Sequence, residues 1–262
     1  MSGLPDLLAR IVEQRRARLG VAPGEIRLEA AASAPVRLGP EQPFLAALAA
    51  RRGRAVIAEV KMGSPRLGSL HGRVDPLAQA RLYAAHGAAA LSVVVEPDFF
   101  HGSWELLAAC REASGLPAIA KDFVVAAAQL DAARAAGADA ILLVAALYAP
   151  GELAALAAAA RRRGLVPLVE THEAVEVAAL AGGEWELVGV NNRDLRTFEV
   201  DLERSLALAP ALPAGALRVA ESGIRSRAEV DRLAAGGFDA VLVGESLLLA
   251  ADPGALLAEL AG

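Results

Sequence analysis

Charged and polar side chains recur in this sequence at the points where short apolar runs stop. An ionised side chain at the end of an apolar strand is costly to bury unless it is paired or used. Several such residues, each ending a different run, indicate that the run ends converge on one polar pocket suited to acid–base chemistry. They are Glu59, Lys61, Glu96, Lys121, Glu170, Asn191 and Glu221, and the last run ends on a glycine, Gly244.

Two lysines in this set have different surroundings along the chain. Lys61 follows Glu59 by two positions, so on a strand both side chains point to the same side. They form either a structural ion pair or part of the site. Lys121 ends the run PAIAK, where an apolar environment and other cations predict a lowered pKa suited to proton donation or Schiff-base formation. The alternative for Lys121 is a pairing with its neighbour Asp122.

Glu170 ends the run LVPLVE and has no cation beside it in the sequence. We therefore expect a partly desolvated carboxyl group suited to general acid or base catalysis. The alternative is a helix N-cap arrangement with Thr171.

The last two apolar runs are each followed by a glycine. Gly223 and Gly244 stand where backbone amides can approach an anion, and the next helix would point its amino terminus at that anion. We expect a phosphate site here, with Ser64 and Ser222 as hydroxyl donors; the alternative is that both serines are ordinary turn residues. Glu245 would contribute its amide while its carboxylate points away.

The elements that must position these residues alternate regularly. Eight apolar runs without a polar face alternate with helical patterns, which predicts a parallel sheet covered by helices. In the phrases HGAAALSVV, AGADAILLV and GGFDAVLVG, a glycine ends each helix before a buried strand. Eight such units in about 200 residues predict an α/β fold with a single closed (β/α)8 TIM barrel. A doubly wound open sheet is the alternative, but no G-x-G-x-x-G motif follows the first strand.

The first part of the chain has a different pattern. Residues 5–19 carry apolar side chains at helical spacing, and a Pro/Ala-rich connection follows to about residue 40 before a second short helix, PFLAALAARR. We expect residues 1–45 to form a helical N-terminal extension packed on the barrel mouth, and residues 46–262 to form the barrel.

Composition limits the class of protein. The 262 residues are 55% hydrophobic with a net charge of −5, which fits one large soluble domain and disfavours nucleic-acid binding. A single cysteine excludes an intrachain disulfide, and the four histidines lack metal-ligand spacing, so we expect no metal and no cofactor. No apolar run reaches the roughly 18 residues of a membrane span, and no signal peptide is recognisable. We expect a cytoplasmic monomer that binds a small-molecule sugar phosphate, with no nucleic-acid or membrane partner.

Seven segments resemble, in order and spacing, the motifs of the indole-3-glycerol phosphate synthase family of tryptophan biosynthesis. They are IAEVKMGSP, LSVVVEPDFFHGS, AIAKDFVV, LVETHEA, VGVNNRDLRTFEVDL, VAESGI and VLVGESLL, and they cover nearly the whole chain. The resemblance implies a metal-free lyase that closes the indole ring of 1-(2-carboxyphenylamino)-1-deoxyribulose 5-phosphate with loss of CO₂ and water. The chain departs from the usual family pattern in KMGSP, at Val95 and at Ala120, which affects local packing.

The resemblance also implies a role for each candidate residue. Lys121 would be the general acid on the substrate carbonyl, Glu170 the acid–base partner in dehydration, and Lys61 the cation that holds the substrate carboxylate or phosphate. The residues lining the site would be Glu59, Asn191, Glu221 and Ser222, supported by Arg193. The phosphate contacts would be Ser64, Gly223, Gly244 and Glu245. The apolar wall for the anthranilate ring would be Phe100, Phe123, Leu142 and Phe198.

Two other functions are compatible with a barrel of this kind. A sugar-phosphate isomerase such as phosphoribosylanthranilate isomerase would need a Cys/Asp acid–base pair and no helical extension, but Cys110 stands in the middle of a helical pattern. A catalytically silent barrel that serves as a binding partner is the second alternative. The intact set of Glu59, Lys61, Lys121 and Glu170 argues against a silent barrel.

Overall fold

The computed structural model describes residues 6–27, 36–65, 68–194 and 196–262. The barrel strands are β1 (Ala55–Val60), β2 (Ala90–Val94), β3 (Ala118–Lys121), β4 (Ala140–Val144), β5 (Val166–Thr171), β6 (Leu187–Asn191), β7 (Leu217–Glu221) and β8 (Ala240–Val243). The helices are α1 (Asp6–Leu19), α2 (Pro43–Ala49), α3 (Pro76–Ala85), α4 (Trp104–Ser114), α5 (Ala127–Ala135), α6 (Pro150–Arg162), α7 (Ala174–Ala178), α8 (Glu203–Leu208), α9 (Arg227–Ala235), α10 (Glu245–Leu249) and α11 (Pro253–Ala261). None of the described helices is both long enough and apolar enough to cross a bilayer.

The eight strands form one closed parallel barrel. β1 pairs with β2 on one side, where Ile57 faces Ala90, and with β8 on the other, where Ala55 faces Ala240. The resulting order is β1-β8-β7-β6-β5-β4-β3-β2. An open doubly wound sheet would leave two edge strands, so this closure confirms the predicted TIM barrel.

Alternate residues of each strand face the inside of the barrel. In β1, Ala55 and Ile57 belong to the inner apolar cluster, whereas Val56 and Ala58 belong to the cluster shared with the helices. Both faces of the strand are buried, which explains why the strand sequences lack a polar face. Because side chains two positions apart share a side, residues that continue the inner series past the apolar layer face the barrel mouth.

Three glycines mark the passage from a helix to a strand. Gly87, Gly137 and Gly237 have φ values of 96°, 85° and 91°. This left-handed backbone strongly favours glycine. The three repeated phrases in the sequence therefore have the common structure that was predicted for them.

The first helix contacts the loop that follows β3. The Arg15 guanidinium of α1 lies 2.6 Å from the Asp122 carboxylate, one residue beyond the end of β3. Further along, Arg27 forms an isolated parallel bridge with Ala126. The predicted helix at 5–19 is present, and its contacts are at the carboxyl ends of the strands.

The second helix lies at the opposite end of the barrel. The Gln42 side chain caps α2 and donates a hydrogen bond of 2.9 Å to the carbonyl of Asp139, the residue before β4. Phe44 and Leu48 are fully buried in the inner cluster. α2 therefore closes the amino ends of the strands, and the boundary expected at residue 45 falls inside this helix.

Candidate active site

Lys121 stands at the centre of a charged cluster at the carboxyl ends of the strands. Its Nζ lies 3.4 Å from Glu221 Oε2, 3.5 Å from Glu59 Oε2 and 3.9 Å from Glu170 Oε2. These carboxylates belong to β7, β1 and β5, and all three are buried. Barrel closure therefore brings together strand ends that are far apart in the sequence.

Lys61 extends the cluster through Glu59. The Lys61 ammonium lies 3.1 Å from Glu59 Oε1, so Glu59 bridges the two lysines. Burial alone would raise the pKa of Glu59, but the charges of Lys61 and Lys121 lower it below its ordinary value. Glu59 is therefore ionised at neutral pH and orients both ammonium groups.

The pKa of Lys121 is raised, so the sequence-based expectation of a lowered pKa is wrong. Burial acts to lower this pKa, but the charges of Glu59, Glu221 and Glu170 outweigh burial. The strand sequence contains no sign of these three carboxylates, which arrive from other strands. At neutral pH Lys121 is an ammonium group, which suits proton donation and disfavours Schiff-base formation.

Asp122 belongs to a separate buried cluster, so the alternative of a pairing with Lys121 is wrong. Its Oδ2 accepts hydrogen bonds from the Arg15 guanidinium at 2.6 Å and from Gln129 Nε2 at 2.8 Å. Its Oδ1 accepts hydrogen bonds from Arg15 Nε at 3.1 Å and from the backbone N–H of Phe123 at 2.9 Å. This cluster attaches α1 to the loop that carries the candidate site.

Glu170 and Glu221 are neighbouring buried carboxyl groups with opposite pKa shifts. Burial and the charge of Glu170 raise the pKa of Glu221 well above its ordinary range. Burial also acts to raise the pKa of Glu170, but Lys121 and His172 lower it. We infer that Glu221 carries the proton of the pair and that Glu170 is ionised.

The alternative interpretation of Glu170, a helix N-cap arrangement with Thr171, is wrong. The Thr171 hydroxyl instead donates a hydrogen bond of 2.8 Å to a β6 carbonyl.

Two inward-facing glycines leave room for the carboxylates. A side chain at Gly189 would collide with the Glu221 carboxylate, and one at Gly244 would collide with that of Glu59. Sequence analysis missed Gly189, although a glycine inside an apolar strand often marks a close approach of another group. It also gave Gly244 only a role in phosphate binding, whereas the structure places it against Glu59.

Asn191, Arg193 and Glu245 form a chain of contacts between the loops after β6 and β8. The Asn191 side chain accepts a hydrogen bond from the backbone N–H of Arg193 at 3.0 Å. The Arg193 guanidinium lies 3.4 Å from the Glu245 carboxylate and donates to the Phe198 carbonyl at 3.2 Å. The Glu245 carboxylate is thus held by Arg193.

Three of the residues expected at the phosphate follow β1 and β7. Ser64 lies in a short hairpin in which Gly63–Ser64 pairs with Gly68–Ser69. Ser222 and Gly223 follow β7 with φ values of 69° and 85°. A positive φ is uncommon for serine, so the surrounding structure must hold this turn.

The four residues expected to form the apolar wall lie at different depths. The Phe100 and Phe123 rings are neighbours, with centroids 6.2 Å apart. Leu142 is buried in the inner cluster, two residues before the end of β4. Phe198 follows β6, where 44% of its surface is exposed. The contacts therefore bring Phe100 and Phe123 together.

Glu96 has a structural role that its position in the sequence did not indicate. Its carboxylate is fully buried and accepts hydrogen bonds from the backbone N–H groups of Asp98, Phe99 and Phe100 at 2.8–3.0 Å. It is therefore used in shaping the loop after β2. Through this loop it sets the position of Phe100.

The motif match is confirmed over the full length of the chain. A sequence profile described as indole-3-glycerol phosphate synthase matches residues 8–260. The chain belongs to this family. Indole-3-glycerol phosphate synthases from Acidithiobacillus ferrooxidans and Burkholderia vietnamiensis are 41% and 42% identical to it, over 98% of this chain and 99% of each relative. One from Koribacter versatilis is 46% identical over 81% of this chain and 82% of the relative.

Solved structures support the barrel. A 3-hexulose-6-phosphate synthase from Salmonella typhimurium has a TM-score of 0.62 and 15% identity, covering 79% of this chain and 96% of that one. A thiamine phosphate pyrophosphorylase from Pyrococcus furiosus has a TM-score of 0.58 and 15% identity, covering 80% and 95%. At such low identity this likeness shows the fold alone.

Proposed function

We propose that this family member closes the indole ring of 1-(2-carboxyphenylamino)-1-deoxyribulose 5-phosphate with loss of CO₂ and water, as a carbon–carbon lyase of tryptophan biosynthesis. The observation that carries the proposal is the cluster around Lys121, in which one ammonium group lies within 3.9 Å of three buried carboxyl groups. Such a cluster supplies a proton donor and an ionised acceptor within one site.

Lys121 is the general acid of ring closure. Its ammonium group donates a proton to the ketone oxygen as the ring carbon that bears the carboxylate attacks the carbonyl carbon. Loss of CO₂ then restores the aromatic ring. The raised pKa of Lys121 keeps the donor protonated at neutral pH.

Glu170 is the acid–base partner of the dehydration that follows. Because its pKa is lowered, Glu170 is ionised, accepts the proton that the intermediate loses and returns it to the departing hydroxyl group, which leaves as water. Its Oε2 is buried and accepts no hydrogen bond within the described part of the chain. This oxygen is therefore the one that meets the intermediate.

The other polar residues bind and orient the substrate. Lys61 holds the substrate carboxylate or phosphate, and Glu59 fixes the separation of the two lysines. Glu221, Asn191 and Ser222 line the site, with Arg193 in support. The phosphate contacts are Ser64, Gly223, Gly244 and Glu245, and the anthranilate ring packs on Phe100, Phe123, Leu142 and Phe198.

For the expected division into an N-terminal extension (residues 1–45) and a barrel (residues 46–262), we propose that α1 packs on the barrel mouth, whereas the extension ends inside α2 at the opposite end of the barrel. Support comes from two ion pairs of α1. Arg15 binds Asp122 in the loop after β3, and Arg18 lies 2.6 Å from Asp98 in the loop after β2. Two parts of the extension, residues 1–5 and 28–35, lie outside the described residues.

The reaction needs neither metal nor cofactor, because the side chains of the site supply each proton transfer. We place this activity in a cytoplasmic monomer without nucleic-acid or membrane partners. The net charge of −5 supports the absence of nucleic acid among these partners.

A turnover assay tests the proposal. The purified chain should convert the carboxyphenylamino-deoxyribulose phosphate to a fluorescent indole product, at the same rate with and without EDTA. Loss of turnover in EDTA that a divalent ion restores would overturn the metal-free mechanism. Absence of product under all conditions would overturn the proposed function itself.

A further inference from the structure

His172 is a buried imidazole between two carboxylates. Its Nε2 lies 3.4 Å from Glu170 Oε1, and its Nδ1 lies 3.6 Å from Glu176 Oε2. Only 5% of the residue is exposed. His172 thus contacts the Glu170 oxygen that faces away from the Lys121 contact, since Lys121 lies nearest to Oε2.

The charges around His172 come from three elements. Glu170 is on β5 and Glu176 is on α7. Arg204 of α8 donates to the His172 carbonyl at 3.4 Å while pairing with Asp194 at 3.2 Å. Burial and Arg204 act to lower the pKa of His172, but Glu176 and Glu170 raise it above its ordinary value. Both ring nitrogens are buried and neither forms a hydrogen bond within the described residues, so the contact with the carboxylates is one of charge. A neutral imidazole would turn a lone pair toward one of the two carboxylates, whereas an imidazolium turns an N–H toward each.

We propose that His172, as an imidazolium, is a positioning residue that keeps Glu170 ionised and directs Glu170 Oε2 at the substrate. The inference rests on the proposed function, in which Glu170 serves the dehydration. The charge of His172 attracts Oε1 across 3.4 Å, and Oε2 remains available for the reacting group. His172 itself does not meet the substrate.

Replacing the ring isolates this interaction. The other groups around Glu170 are Lys121 of β3, Asn191 of β6 and Glu221 of β7, and they remain in a His172 variant. The carboxylate of Glu176 also accepts the backbone N–H of His172 at 2.6 Å. Asparagine at position 172 offers the same backbone N–H, so α7 stays attached.

The test is the pH dependence of kcat and KM for the wild type and His172→Asn, from about pH 6 to about pH 10, a range that begins near the ordinary pKa of histidine. At the acidic end the variant should have a kcat at least about tenfold lower, because Glu170 loses the contact that directs its Oε2 at the substrate. KM should change by less than about twofold, since no substrate contact is lost. As the pH rises through the raised pKa of His172, the wild type loses its imidazolium and the kcat ratio should fall toward one.

Glu176→Gln is the matched control. It retains an acceptor for the backbone N–H of His172 but removes one of the charges that raise the His172 pKa. Its loss of kcat at alkaline pH should therefore begin at a lower pH than in the wild type. If His172→Asn fails to fold, the pH profile of Glu176→Gln alone tests the role of His172.

A kcat ratio that does not depend on pH, or a Glu176→Gln profile identical to the wild type, would overturn the role of His172. In both cases an active wild type leaves the proposed function intact. A wild type that makes no indole product overturns the proposed function, and the role of His172 with it.

Discussion

Two buried charge clusters meet at the end of β3 and differ in how completely their atoms are paired. Asp122 accepts hydrogen bonds of 2.6–3.2 Å from Arg15, Gln129 and a backbone N–H. Lys121, the preceding residue, has carboxylates at 3.4–3.9 Å instead. Glu170 and Glu221 each keep one buried oxygen without a hydrogen bond in the described part of the chain.

The completely paired cluster at Asp122 serves the fold, whereas the incompletely paired cluster at Lys121 serves catalysis. A complete buried cluster holds its elements in one arrangement, whereas an incomplete one costs stability unless a ligand fills it. Adjacent residues on a strand point to opposite sides, so Lys121 faces the barrel and Asp122 faces α1. The short strand β3 thus supplies a group to each cluster, and variants of the two clusters should affect different properties.

The largest expected effect is on turnover, in Lys121→Met. A positioned acid contributes about 10²–10⁴-fold to rate, so kcat should fall by at least about a hundredfold. KM should change little, because Lys61 still holds the substrate anions. Steady-state kinetics measure both constants.

Lys61→Met is the matched comparison within the same cluster. It removes a cation assigned to substrate binding, so KM should rise and turnover should slow. A Lys121→Met enzyme with near-normal kcat, or a Lys61→Met enzyme with unaltered KM, would show that the roles of the two lysines are reversed.

Arg15→Met should act mainly on stability. Asp122 would be left buried without its counter-charge, at a cost of about 3–5 kcal/mol in the free energy of unfolding. Arg18→Met on the same helix is the control. The Arg18 side chain is 51% exposed, so this change should cost less than about 1 kcal/mol. Equal destabilisation in urea unfolding would contradict the distinction between the buried and the exposed pair.

The sequence predicted those parts of the site that follow from local geometry. The spacing of Glu59 and Lys61 places both on one side of a strand, and the end of each apolar run marks the barrel mouth. The raised pKa of Lys121 was not predictable in this way, because the direction of the pKa shift depends on three carboxyl groups from other strands. Arg15 was missed for the same reason, since its partner lies 107 positions away.

The smallest effect on turnover is expected for a substitution at Gly244, for which the sequence and the structure indicate different roles. A phosphate-binding role alone predicts a raised KM, but a methyl group here would displace the Glu59 carboxylate. Gly244→Ala should therefore also lower kcat, by about tenfold if the displacement costs roughly 1.4 kcal/mol. Gly215→Ala, where an added methyl group meets nothing within 4 Å, is the control. A change in KM without a change in kcat would show that Gly244 serves phosphate binding alone.

One paired measurement tests most directly whether the cluster at Lys121 is kept for chemistry and that at Asp122 for structure. Glu170→Gln and Asp122→Asn each remove one buried negative charge with little change in shape, and kcat and unfolding free energy are measured for both. Glu170→Gln should lose at least about a hundredfold in kcat with no loss of stability, since an acid–base group is removed from an incompletely paired cluster. Asp122→Asn should lose about 3 kcal/mol or more, because it leaves Arg15 buried without a counter-charge, and should retain most of its kcat. Equal losses of stability in the two variants, or a larger loss of kcat in Asp122→Asn, would contradict the account.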